Sequence, residues 1–174
     1  MLRTVSLMSA AAFSVAIVFA ETGQFTKGPI IEGYGAAANI ADERLSSATA
    51  FKIAYDVAQA AEPGEISRRL ETAARFLNMH GAAGVPAENM QLAIVVHGGA
   101  HKDLLQATSE GSENPNAGLI AALLAAGVSI ELCGQTAAYY GVTEDDLLPG
   151  VTLSLSAMTS HALLQQAGYT LNPF

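Results

Sequence analysis

Hydrophobic positions change period several times along the chain, and each change marks an element. Phe51-Lys52-Ile53-Ala54-Tyr55-Asp56-Val57 alternates as a strand does. Pro63-Gly64 breaks the chain. From Glu65 to His80 the apolar residues Ile66, Leu70, Ala73 and Leu77 recur at i, i+4, i+7 and i+11, which predicts a helix with one buried face; Arg68, Arg69, Glu71 and Arg75 fall mostly elsewhere, and Gly81 is its expected stop. Gln91 to Val96 is a continuous apolar run, the pattern of a strand buried on both faces. After a loop rich in Ser, Glu, Gly, Asn and Pro, Asn116 is placed to cap a helix carrying Leu119, Ile120, Leu123 and Leu124 to Ala126, with Gly127 to close it. Val128 to Cys133 reads as a strand and Gly134 to Tyr140 as a short helix. Thr143-Glu144-Asp145-Asp146 is a T-x-x-D capping pattern, Thr152 to Leu155 a strand, and Met158 to Ala167 a helix stopped by Gly168. No long internal repeat is present.

Alternating strands and helices imply right-handed crossovers and a mostly parallel sheet with helices on both faces, a three-layer α/β/α domain over residues 51–174. In such sheets functional groups collect just past the carboxyl ends of the strands. Those ends carry Asp56, His97 with His101, Cys133, and the turn from Ser156 to Thr159.

The segment before this domain is different. Residues 1–20, MLRTVSLMSAAAFSVAIVFA, have a positive start at Arg3, an apolar run from Val5 to Phe19, and the small-x-small site Val18-Phe19-Ala20, which together predict a secretory signal peptide. The run falls short of the ~20 residues of a spanning helix, so no membrane association is expected after cleavage. Residues 21–50 favour Gly, Ala, Ser and Thr over large apolar side chains and read as an extended arm. Within it Gly33-Tyr34-Gly35-Ala36-Ala37-Ala38 imitates a dinucleotide-binding turn, but a firm strand before it and a helix straight after it are both missing, so no nucleotide site is assigned.

Composition narrows the function. Of 174 residues 51% are apolar and 14% charged, with 8 Lys and Arg against 16 Asp and Glu. Removing residues 1–20 costs only Arg3, leaving 7 basic and 16 acidic residues, net −9. With a pI near 4.8 and no basic cluster, the chain lacks the surface that nucleic acid requires. Export, to the periplasm or beyond the cell, makes the lone Cys133 conspicuous, since oxidising compartments use cysteines in pairs.

Cys133 lies where a strand hands over to a helix. Backbone N–H groups around Gly134, Gln135 and Thr136, with the helix dipole, would favour its thiolate, the nucleophilic form; the alternative is a buried cysteine that serves as a small apolar residue. His97 and His101 either orient or protonate a sulfur species or, with Cys133 and Asp103, form a zinc or copper set. The plainer alternatives are a His97 ring bonded to backbone in the Gly98-Gly99 turn and a His101 on the surface at a helix start. His80 reads as a cation at a helix C-terminus and His161 as a face residue of the last helix; neither receives a role.

Val95-Val96-His97-Gly98-Gly99-Ala100, Ala126 to Thr136 (AGVSIELCGQT), Asp145 to Val151 (DDLLPGV) and Gln165-Gln166-Ala167-Gly168-Tyr169 together resemble the DsrE/DsrF-like family in order and spacing, and Gly28 to Gly35 (GPIIEGYG) resembles its exported members. The resemblance implies a flavodoxin-like α/β fold, homo-oligomers such as trimers or hexamers, and a cysteine that carries sulfur as a persulfide between a donor and an acceptor protein. Cys133 matches that cysteine. The expected function is therefore an exported sulfur carrier or sulfurtransferase-like protein, with Cys133 and His97 reacting, Gly98, Gly134, Gln135 and Thr136 cradling the sulfur species, and neither cofactor nor metal. The competing expectation is a non-enzymatic oligomer that binds a small ligand or metal, with Cys133 inert.

Overall fold

The computed structural model describes residues 24–107 and 111–173; the predicted signal peptide lies outside them. Five strands form one parallel sheet: β3 (Phe51–Val57), β4 (Met90–Val96), β5 (Ser129–Cys133), β6 (Thr152–Ser154) and β7 (Thr170–Asn172). Their spatial order is β6-β5-β4-β3-β7. Two short strands of the arm, β1 (Phe25–Thr26) and β2 (Ala37–Ala38), form a separate antiparallel pair. The helices are α1 (Arg68–Ala82), α2 (Ala117–Ala125), α3 (Gly134–Tyr140) and α4 (Ala157–Gln166), and a 3-10 stretch, Gly98–Leu104, follows β4.

The alternation of side chains along each strand gives the sheet two unlike faces. Ile53, Tyr55 and Val57 of β3, Leu92, Ile94 and Val96 of β4, and Ile130 and Leu132 of β5 belong to the main apolar core, with Leu70, Ala73, Ala74 and Leu77 of α1 and Leu119, Ile120 and Leu123 of α2. The opposite face offers Lys52, Ala54 and Asp56, then Ala93 and Val95, then Glu131 and Cys133. It is small and polar where the first is large and apolar.

The route of the chain explains the layering. Strands β3 to β6 step steadily across the sheet, and β7 then lies on the far side of β3. A right-handed crossover in that reversed direction lays its helix on the other face. Helix α4 accordingly covers the polar face: Ser160 donates to Glu131 of β5 at 2.7 Å, and Lys52 of β3 donates to the Ala167 carbonyl at 3.1 Å. Only Ser160 of α4 is fully buried, whereas Met158 and Leu163 are exposed.

Several local expectations need correction. Ile66 lies outside α1 and is partly exposed, because the helix begins after Ser67. Gly81 lies within α1 rather than ending it, packed against the tip of the Ile30 side chain of the arm, and the chain turns instead at Gly84, where φ is +90°. Asn116 makes no side-chain cap on α2. Its side-chain Oδ1 accepts the Ser67 amide at 2.7 Å, tying the start of α2 to the start of α1. The T-x-x-D pattern does form the reciprocal capping box between Thr143 and Asp146.

The arm is docked by one buried side chain. Asn78 of α1 accepts the Ile30 and Ile31 amides at 3.1 and 2.7 Å, and its amide nitrogen lies 2.9, 2.9 and 3.2 Å from the carbonyl oxygens of Ile31, Tyr34 and Gly35. Gly35, at φ +65°, presses so closely on the α1 backbone at Ala74 and Arg75 that no side chain would fit. That close approach, rather than a nucleotide, accounts for the glycine.

Candidate functional site

The carboxyl ends of β3, β4 and β5 and the start of α4 enclose a cleft of about 300 Å3, lined by Asp56, His97, Cys133, Gln135, Thr136, Ser156, Ala157, Met158 and His161. Period-two geometry puts Asp56 and Cys133 on the α4 face of the sheet, and both end their strands or nearly so.

Cys133 is 6% exposed and forms no disulfide. Burial alone would raise its pKa, since a thiolate loses hydration there. The opposing contribution is larger: the nearby backbone N–H groups of Ala157, Thr136 and Gln135, with the Thr136 hydroxyl, favour the thiolate and hold the thiol below its ordinary range. Two helices supply these donors. Ser156 caps α4 by accepting the Thr159 amide at 3.1 Å, which leaves the Ala157 N–H, one of the amides without a partner inside the helix, for the sulfur. Gln135 and Thr136 belong to the first turn of α3, for which Cys133 is the N-cap.

Thr136 is oriented from behind. Its Oγ1 accepts the Gly98 amide at 3.0 Å, so the hydroxyl proton is left for Cys133. Gly98 takes φ +54°, a conformation that favours glycine. Its carbonyl in turn accepts His101 Nδ1–H at 2.8 Å, and the His101 ring stacks on Tyr140 with centroids 4.1 Å apart. Gly134 has a steric role: a side chain there would strike the Ser154 carbonyl, so glycine lets β5 turn into α3 against the end of β6. Gln135 donates from Nε2 to the Leu155 carbonyl at 3.2 Å, joining α3 to the loop before α4.

A second constellation centres on Asp56. Burial raises its pKa, but bonds from His161 and then His97 outweigh this and hold the carboxyl below its usual range. An ionised carboxylate only accepts, so both rings donate from Nε2. His161 reaches Oδ1 at 2.8 Å, and His97 reaches Oδ1 at 3.1 Å and Oδ2 at 3.2 Å.

Of the residues singled out from the sequence, Asp56, His97, Cys133, Gln135, Thr136 and the turn from Ser156 line the cleft; Gly98 acts through Thr136, and Gly134 only permits close packing. His97 bonds a carboxylate rather than the backbone of its own turn. His101 is buried rather than on the surface. The zinc or copper set does not assemble: Asp103 accepts the Ala61 amide with both oxygens at 3.1 Å, His101 is spent on Gly98, and no group of three or more His, Cys, Asp or Glu among the described residues is arranged to hold a metal ion. His161, given no role from sequence, lies in the cleft. No local pattern in the sequence marks it, because its partner Asp56 lies 105 positions away.

Comparison with known proteins agrees with this architecture. The model of the DsrE/DsrF-like family matches residues 50–173. Among solved structures, the protein of unknown function MTH1491 from Methanobacterium thermoautotrophicum is 19% identical with a TM-score of 0.56, the match covering 71% of this chain and 99% of that one. The ychN protein from E. coli is 19% identical with a TM-score of 0.55 at the same coverage. No curated protein matches.

Proposed function

Because the chain belongs to the DsrE/DsrF-like family, we propose that it is an exported sulfur carrier that holds sulfane sulfur as a persulfide on Cys133. The observation that carries this reading is the convergence of N–H groups from α3 and α4, with the Thr136 hydroxyl, on one sulfur in an open cleft. These donors favour the thiolate that attacks a sulfane donor, and they serve equally to hold the persulfide anion that results. A lone cysteine suits a carrier, because no second thiol in the chain can displace the bound sulfur as an internal disulfide.

The assembly proposed is a homo-oligomer, trimer or hexamer. Leu155, Met158, Tyr139 and Leu163 are exposed apolar side chains near the cleft and along α4, and their burial between subunits would remove them from water. A monomeric sedimentation profile would contradict it. The predicted leader supports action in the periplasm or outside the cell.

The test is mass spectrometry of the mature protein after incubation with persulfide, polysulfide or thiosulfate. A gain of one sulfur confined to the Cys133 peptide, lost in Cys133→Ser with the fold and oligomer intact, is the expected result. The low exposure of Cys133 favours a second reading, a ligand-binding oligomer with an inert thiol. Native labelling separates the two: rapid modification at mildly acidic pH belongs to the carrier, and labelling only after denaturation to the binding module.

A further inference from the structure

The Asp56 constellation has no part in the reading above, although it shares the cleft with Cys133. Asp56 commits Nε2–H of both His97 and His161, so the only ring atom each has left is Nδ1. That of His161 is buried without a partner, and its side chain is 17% exposed. The His97 side chain is 33% exposed. The two histidines are thus unequal. His161 is the more enclosed of the two, whereas His97 lines the cleft with about twice the exposure and with Nδ1 not taken by Asp56. A carboxylate on one imidazole nitrogen fixes the tautomer and leaves the other nitrogen to accept or give the proton.

We propose, building on the carrier reading, that His97 is the general acid that protonates the group leaving when sulfur passes to Cys133, and that Asp56 and His161 position it. The thiolate of Cys133 attacks the terminal sulfur of a persulfide, R–S–SH. A Cys133 Sγ–S bond forms and the R–S bond breaks, its electron pair going to the R-bound sulfur. That sulfur takes the Nδ1 proton of the His97 imidazolium and leaves as R–SH. Cys133–S–SH and neutral His97 remain, with no net oxidation. On unloading, His97 accepts a proton from the incoming thiol, and the sequence runs backwards.

The arrangement also selects a donor. A thiolate is a basic leaving group and gains from a proton in flight, whereas sulfite leaving thiosulfate has little need of one. Thiosulfate is moreover a dianion and would enter beside the Asp56 carboxylate. The chemistry therefore favours an organic persulfide, on a small thiol or on a protein.

Other charged groups do not compete for this role. Asp56 of β3, Cys133 of β5 and His161 of α4 line the same cleft as His97. Glu131, on the same sheet face, holds Ser160; Lys52 is bound at the far end of β3; and His101 and Asp103, on the turn after His97, bond Gly98 and Ala61.

The test compares wild type with His97→Gln, Asp56→Asn and His161→Gln. Sulfur loading from glutathione persulfide is followed by intact mass across pH, and alkylation by iodoacetamide is measured at alkaline pH, where the thiol is fully ionised. Iodide leaves without a proton, so alkylation reports an intact, accessible thiolate. Loading should fall about a hundred-fold in His97→Gln and Asp56→Asn, and about ten-fold in His161→Gln, with loss of the alkaline decline in rate. Alkylation should stay within about two-fold of wild type, in the range of additive surface changes rather than lost catalysis. Loading at the wild-type rate, or loading and alkylation falling together, would overturn the assignment. Normal loading in His161→Gln alone would remove His161 from it. If the wild-type protein alkylates but accepts sulfur from no donor, the carrier reading itself fails.

Discussion

Thr136→Val isolates the contribution of a single hydroxyl to the chemistry of Cys133. The side chains are nearly the same size, and the Thr136 hydroxyl makes two contacts: it accepts the Gly98 amide and donates to the Cys133 sulfur. A hydrogen bond to a charged group is worth about 1.5 to 3 kcal/mol, and one pKa unit corresponds to about 1.4 kcal/mol. The thiol pKa should therefore rise in the variant toward its ordinary range, held back only by the three backbone donors that remain. The Gly98 amide also loses its acceptor, which should lower stability by about 1 to 3 kcal/mol. The assay is the pH dependence of iodoacetamide alkylation, which tracks the thiolate fraction, run beside a urea titration. Thr136→Ser keeps the hydroxyl and should restore most of the shift. An unchanged thiol pKa in Thr136→Val, with the fold intact, would refute the reasoning and leave the backbone amides as the whole source of the effect.

Other outcomes follow from the same geometry. Asn78→Ala removes five hydrogen bonds to the arm and leaves amides and carbonyls without partners; a loss of roughly 3 kcal/mol or more is expected in urea unfolding, with new proteolytic cleavage within residues 28–36. The carboxyl of Asp56 lies below its ordinary range in the folded chain, so the folded state binds fewer protons and the stabilisation is present above the unfolded value. It should be lost as pH falls through the folded value. Urea midpoints measured down the acid range should drop more steeply in wild type than in Asp56→Asn, and parallel curves would show that the two histidines give the carboxylate no net stabilisation.

Much of the frame was legible in order along the chain. The alternation at Phe51–Val57, the apolar run before His97 and the strand ending at Cys133 depend on neighbours two residues apart, and those elements lie close to their expected positions. The match to the family rests on the same segments. Strand β7 has no signature of its own, because Thr170–Asn172 is short and carries a single large apolar residue; it forms because the chain returns to β3. The role of His161 was hidden for a related reason. Nothing local distinguishes it from any helix-face histidine, and its bond to Asp56 joins residues 105 positions apart. Asn116 and Gly81 misled in the opposite direction, since each is spent on a distant partner, Ser67 and Ile30, rather than on the helix end that its type suggests.

The Asn78 clamp bears on where this protein begins as a folding unit. The family match starts at residue 50, which invites trimming the chain there. Ile31 belongs to the buried core, and the amide of Asn78 is satisfied only by backbone on the far side of that boundary. Cutting at 50 would open an apolar groove along α1 with an unpaired amide at its centre. Shared ancestry and cooperative folding thus draw different borders on this chain, and an expression boundary set by the first would discard part of what the second requires.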